Sequence, residues 1–297
     1  MTTFITTLIL ASFITLVSAQ SAEPETTPPA SEQTNQANQK NQPYADAAEL
    51  LNALSTHDRA TTSLTGQIRF TNINALENDR QQRLGKLAIK SVPDSDQRLY
   101  AVIFQKLIID DRQETIDEHF IFDGRWFVER LPEEKQFNKR ELVAVGQTLD
   151  PMELMRDAPF WVSVGQDQDR LLKSYDAVLL PTTQSLVDNP DFPELANLVP
   201  LVNNGVQLKL TPKQNSAVED DWESVRIWIN PETLDPILYI KADWIGDLQI
   251  VELFGVKSNT QISQDIFDTT TPDPRDGWNV QLSHWRGKDN NQNQGQE

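Results

Sequence analysis

The spacing of apolar residues changes period along the chain. In YADAAELLNALSTHD, residues 44–58, Ala48, Leu51 and Leu54, with Ala47 and Leu50 alongside, recur at helical spacing and predict one amphipathic helix. From residue 63 the period becomes two. SLTGQIRFTNI sets Leu64, Gly66, Ile68 and Phe70 on one face and Thr65, Gln67, Arg69 and Thr71 on the other, the pattern of a half-buried strand. RLGKLAIKSV and RLYAVIFQKLII follow, separated by the turn PDSD. EHFIF and RWFVERL then flank Asp123-Gly124, a two-residue hairpin signal, with Phe120, Phe122, Trp126 and Val128 expected on one face. LPEEK turns the chain again into QFNKRELVAV, whose charges Lys139, Arg140 and Glu141, like Glu129 and Arg130 before them, are expected as solvated strand positions.

The second half repeats the meander in YDAVLLP, GVQLKLTP, ESVRIWIN, PILYIKADW and DLQIVELFGV, with NPETLDP as a proline-bounded turn. About ten strands in one antiparallel sheet are predicted, and a sheet that size covers its apolar face by curling into a barrel or partial barrel. Between the halves, LDPMELMRDAPFWVSVGQDQDRLLKS begins with Asp150 placed as an N-cap and Pro151 at the first helical position. A short helix exposing Leu149, Met152 and Met155 is predicted there, followed by Phe160, Trp161 and a helical turn near residues 170–174. Methionine adapts to varied apolar shapes, and serves equally as a core plug.

Composition narrows the chemistry. Lys and Arg number 26 against 44 Asp and Glu, a formal charge of -18, which repels phosphate backbones and argues against nucleic acid as a partner. No cysteine is present, so disulfides, thiolate nucleophiles and cysteine-zinc sites are excluded. His57, His119 and His284 stand in no metal-ligand spacing, and no cofactor is expected. Asp110-Asp111 and Asp220-Asp221 fall at predicted loops, where solvated acids are the default, and no Gly-x-Ser-x-Gly elbow or Ser-x-x-Lys pattern is present, so an enzyme is not expected.

Residues 4–19, FITTLILASFITLVSA, form an uncharged apolar run followed by small residues, read as an export signal cleaved after Ala19 or Ala22; an uncleaved anchor is the alternative. Residues 23–43 and 288–297 lack the apolar side chains needed to offset chain entropy and read as a linker and a tail. The expected organisation is a signal peptide over 1–22, the linker, one domain over 44–287 and the tail, in a periplasmic protein.

Taken in order, AAELLNALS, GKLAIKSVP, FDGRWFVERLPEEKQFNKREL, LLKSYDAVLLP, VQLKLTPK, ESVRIWINPETLDPILYIKADW and QISQDIFDTTTPDPRDGW resemble the LolA-like outer-membrane lipoprotein carriers, in the form found in planctomycete-type bacteria. The resemblance implies an unclosed antiparallel β-barrel of the LolA/LolB kind with a lid of short helices. It implies a lipid groove, here placed at Ile68, Phe70, Leu87, Ile89, Val102, Phe104, Phe122 and Trp126, under a lid carrying Met152, Met155, Phe160 and Trp161. It also implies lipoprotein acyl chains or another lipid as ligand, an inner-membrane extraction complex as donor and an outer-membrane acceptor. A latch arginine common in the family is replaced by Ser91 or Val92, and Lys90 points to the opposite face. Residues 182–204 fall outside the family pattern, and FPELANLV within them is expected as a further lid helix. The expected function is a periplasmic carrier of acyl chains, with a membrane-tethered lipid-binding or envelope-sensing module of the same fold as the alternative.

Overall fold

A computed structural model of the protein describes residues 43–77, 79–95, 97–110, 112–144, 168–216 and 222–285. Helix α1 (Ala47–Ala60) starts at Asp46, whose side chain accepts from Glu49 N at 2.8 Å, while Glu49 Oε2 accepts from Ala45 N at 2.6 Å. The first contact satisfies one of the backbone donors that a helix start leaves unpaired, and the second ties the residue before the cap to the first turn.

Strands β1 (Ser63–Asn74), β2 (Asp79–Ser91), β3 (Arg98–Ile109), β4 (Arg112–Phe122), β5 (Trp126–Leu131) and β6 (Gln136–Glu141) form the first meander. After helix α2 (Gln168–Ser174) come β7 (Tyr175–Leu180), a 3-10 turn (Pro193–Leu198), helix α3 (Val199–Val202), β8 (Val206–Pro212), β9 (Ser224–Ile229), β10 (Pro236–Ala242) and β11 (Leu248–Ser258). The twelfth strand, β12 (Asn279–Ser283), follows two further 3-10 turns. One sheet results, in the order β12-β6-β5-β4-β3-β2-β1-β11-β10-β9-β8-β7. The two meanders join where β1 pairs with β11, Ile68 opposite Leu253, and the sheet ends at β12 and β7 without closing.

Two features depart from the expected sheet. β12 pairs with β6 in parallel, Val280 opposite Phe137, because the segment after β11 crosses the outer face before it reaches that edge. The hairpin after β4 turns at Gly124-Arg125 rather than Asp123-Gly124: Asp123 N bonds Trp126 O, Phe122 pairs with Phe127, and Gly124 has φ +94°. Asp123 Oδ1 accepts from Arg125 N at 3.0 Å and Trp126 N at 2.7 Å, which fixes the turn.

Alternation divides the side chains between two faces. Tyr239 points to one and its neighbours Leu238, Ile240 and Ala242 to the other. The inner cluster draws on strands from β5 to β7 together with α1. Helix α1 touches β7 and also bonds Arg98 on β3, although seven strand steps separate β3 from β7 in the order. Laid flat, that separation would be about 33 Å, whereas a 14-residue helix is about 21 Å long, so the sheet curls around α1. Bulges contribute to the bend. Register shifts occur between Leu84 and Gly85 against β3 and between Phe104 and Lys106 against β4, so both fall beside Phe104.

The outer face is covered in two places by the chain itself. Leu186, Leu195 and Val202 pack on Trp228, Leu238 and Ile250, with Trp228 Nε1 donating to Thr182 O at 2.7 Å. The expected lid helix in 192–199 is therefore a 3-10 turn on the outer face, not a cover for the inner one. Its apolar residues pack on β10, whose outward side chains Leu238 and Ile240 need burial as much as the inward ones do. Phe267, Ile266 and Trp278 cover Ala101, Ile121, Val128 and Phe137 in the same way.

The exit from β12 is tied down by Glu141, whose buried carboxylate takes the Arg125 guanidinium, Trp285 N at 3.2 Å and His284 Nδ1 at 3.3 Å. The hydrogen bonds from Arg125, and to a lesser degree from Trp285, hold its pKa below the ordinary carboxylate value. A depressed pKa stabilises the fold above the unfolded value and loses that contribution as pH falls through the folded one. Glu141→Gln is expected to lower the melting temperature at pH 7 and to flatten its fall between pH 5 and 3. Equal acid sensitivity in the wild type and the variant would contradict this.

Candidate functional site

Seven of the eight expected groove residues meet in the inner cluster. Ile68 and Phe70 come from β1, Leu87 and Ile89 from β2, Val102 and Phe104 from β3, and Phe122 from β4. All are buried. Phe104 lies 6.1 Å from Phe70 and 5.8 Å from Phe120, centroid to centroid, and Tyr100 lies 6.3 Å from Phe122. The cluster continues through residues the sequence reading did not assign to it, Leu208 and Leu210 on β8, Val225 and Ile227 on β9, and Tyr239 on β10. Their alternation was the signal that would have placed them.

Trp126 is placed elsewhere. A two-residue turn pairs an even-numbered position with an odd one, so Phe127, not Trp126, shares the face of Phe120 and Phe122. Trp126 lies on the outer side, edge-on to His284 at 5.3 Å and beneath Arg125 and Lys139. Met152, Met155, Phe160 and Trp161 lie outside the described residues, as do Asp111, Asp220 and Asp221. Leu50, Leu51 and Leu54 of α1 enter the same inner cluster and roof part of it.

One end of this face is pinned by polar contacts. Arg98 donates to Asp58 O at 2.6 Å and approaches Asp58 Oδ1 at 3.5 Å, with the two side chains only 10% and 12% exposed. Burial raises the Asp58 pKa above its ordinary value, and Arg98 opposes that shift. Ser91 Oγ donates to Thr61 O at 3.2 Å, and Lys90 reaches the other side of the sheet, where it donates to Gln264 Oε1 at 3.1 Å. The sequence reading looked for an arginine at Ser91 or Val92. Arg98, the direct ladder partner of Ser91, is the arginine that holds α1. A shallow depression lies beside it, between Leu54, His57, Ile89, Arg98 and Asp235.

Toward the opposite end the same face becomes polar. Asn72 follows Phe70 and Gln249 precedes Val251 in alternation, and with Gln81 and Lys241 they line a basin that opens to solvent. Glu77, Asp79, Asp243 and Asp247 stand around it. Among the described residues no group of three His, Asp or Glu is arranged to hold a metal ion. An apolar bed ending in a polar basin has the polarity pattern of an amphiphile.

These features define an open antiparallel sheet curled around its first helix, with one continuous apolar inner face. No family model matches the chain, and no curated protein matches it. Among solved structures it is similar to a LolA superfamily protein from Nitrosomonas europaea at 12% identity and TM-score 0.31, over 76% of this chain and 98% of that one. It is also similar to an uncharacterized conserved protein from Thermus thermophilus, at 11% identity and TM-score 0.40, over 80% and 99%. The MucA/MucB complex of Pseudomonas aeruginosa matches at 13% identity and TM-score 0.39, over 75% of this chain and 60% of that one. At these scores the likeness carries no argument about what this chain binds.

Proposed function

We propose that the protein is a periplasmic carrier that takes the acyl chains of a lipoprotein, or of another lipid, onto the inner face of its sheet and the polar end of the molecule into the adjoining basin. The observation that supports this is the continuity of the apolar face, which runs from Phe127 to Tyr175 and gives way to Asn72, Gln81, Lys241 and Gln249 at one end. Part of that face is occupied by Leu50, Leu51 and Leu54 of α1, so uptake exchanges the chain's own leucines for acyl methylenes. Burial at about 0.8 kcal/mol per methylene gives about 11 kcal/mol for a chain of about sixteen carbons, against about 5–9 kcal/mol for re-exposing three leucines. The two terms are of comparable size, which makes α1 the displaceable part. Donor and acceptor would be an inner-membrane extraction complex and an outer-membrane receptor.

Native mass spectrometry of the protein released from its own envelope tests the reading. A co-purifying lipid or acylated peptide is expected, with the mature chain starting at Gln20 or Glu23. Folded protein that neither carries nor takes up any lipid would overturn it. Bound lipid on a chain that still begins at Met1, with no transfer between vesicles, would instead favour a tethered lipid-binding or envelope-sensing module.

A further inference from the structure

Two hairpin tips lie side by side at the polar end of the sheet. The β1–β2 turn presents Leu76, 81% exposed, and the β10–β11 turn presents Trp244 and Ile245, 62% and 63% exposed. These are three of the six large apolar side chains that stand exposed among the described residues. The tips are joined and stiff. Ala75 N donates to Asp247 Oδ1 at 2.9 Å, linking one turn to the other. Asp243 Oδ1 accepts from Ile245 N at 3.0 Å and Asp247 N at 2.9 Å, Gly246 takes φ +91°, and Asn74 Oδ1 accepts from Glu77 N at 2.9 Å. Apolar side chains on rigid turns have no means of folding back, and such a patch in a water-soluble chain marks a contact surface.

We propose that these tips are the point at which the protein docks on a lipid surface of low net charge, Leu76, Trp244 and Ile245 entering the interfacial layer. Size and charge select this occupant. The three side chains expose on the order of 400 Å², about half of what one side of a standard protein interface buries. They stand on two adjoining hairpin turns, and an indole among aliphatic side chains suits the boundary between headgroups and acyl chains. Glu77, Asp79, Asp243 and Asp247 lie on or beside the same two turns in a chain of formal charge -18, so an anionic surface is repelled. Docking in this pose puts the polar basin against the headgroups, with the apolar face leading away from the bilayer. This deepens the carrier reading and rests on it only for purpose: lipid uptake in solution reads the inner face, whereas docking reads the tips.

The full chain is mixed with phosphatidylcholine vesicles whose acyl chains are brominated, and tryptophan quenching is compared between wild type and Trp244→Phe. The difference isolates Trp244, and the apolar segment at residues 4–19, which would itself bind vesicles, contains no tryptophan. Quenching assigned to Trp244 is expected, weakened when phosphatidylglycerol is added. In the protein released from its envelope with residues 1–19 removed, the triple variant L76S/W244S/I245S is expected to keep its melting temperature and to lower vesicle partition about tenfold or more. No Trp244-dependent quenching in neutral vesicles overturns the proposal. So does a folded triple variant with undiminished partition, or a dimer seen by analytical ultracentrifugation that the triple variant abolishes. Should the triple variant fail to fold, the Trp244→Phe comparison alone decides.

Discussion

Gly85→Ala is expected to lower the melting temperature by about 6–12 °C, the shift that corresponds to about 3 kcal/mol in a domain of this size. A Cβ at this position would lie 2.0 Å from the carbonyl oxygen of Ile103 and 2.8 Å from Phe104 Cα. Both contacts are with backbone, so no rotamer change relieves them. The close approach arises because Gly85 pairs with Phe104 at the step where β3 carries one residue more than β2. Forcing the strands apart there would open the bend beside Phe104, which packs against both Phe70 and Phe120. Thermal melting checks the magnitude. Gly66→Ala is the control, since a Cβ there meets Phe254 O at 3.4 Å, an ordinary contact, and is expected to cost well under half as much. Equal losses at the two glycines would show that the bulge is not what demands glycine at 85.

Arg98→Met is the second large effect. Removing one member of a buried ion pair typically costs about 3–5 kcal/mol, because the other is left with its desolvation and without its counter-charge. Asp58 already has a raised pKa through burial. A carboxyl group of that kind favours the folded state while protonated, and stability falls as pH rises from the unfolded pKa through the folded one. Loss of Arg98 pushes the folded pKa further up and widens that window. Urea unfolding at pH 5 and pH 8 is therefore expected to show a larger deficit for Arg98→Met at the higher pH. Adding Asp58→Asn should recover most of it, as the charge that needed Arg98 is gone. A deficit of the same size at both pH values, or no recovery in the double variant, would mean that Arg98 acts through packing of its stem alone.

Period-two alternation made most of the sheet readable in advance, since inner positions such as Ile68, Leu87 or Leu208 sit between polar or small neighbours. It could not say which surface covers which face. FPELANLV is apolar enough to cover either side, and only the outward Trp228, Leu238 and Ile250 show that it belongs outside. Trp126 was misplaced by parity, an error that any two-residue turn invites when both strands are counted from the same number. β12 was missed because NVQLS is short and mostly exposed, lying on the sheet edge, so burial leaves little pattern in it. Arg98 looked like one more strand charge until its ladder partner was known. Trp244 ended a segment read as a strand, and Leu76 and Ile245 fell between the segments read as strands, where an apolar residue carries no periodic signal.

The pairing of β1 with β11 bears on how the molecule reaches this state. Partners such as Ile68 and Leu253 stand more than half the chain apart, so the central ladder closes only after nearly all of the domain has emerged. Contacts so distant in sequence make folding slow, because loop entropy must be overcome before the ladder can repay it. Until then the first meander has an open edge at β1, and β6 waits for β12 on its other side. The sheet is therefore completed late, once β11 and β12 have both emerged to cover the edges at β1 and β6.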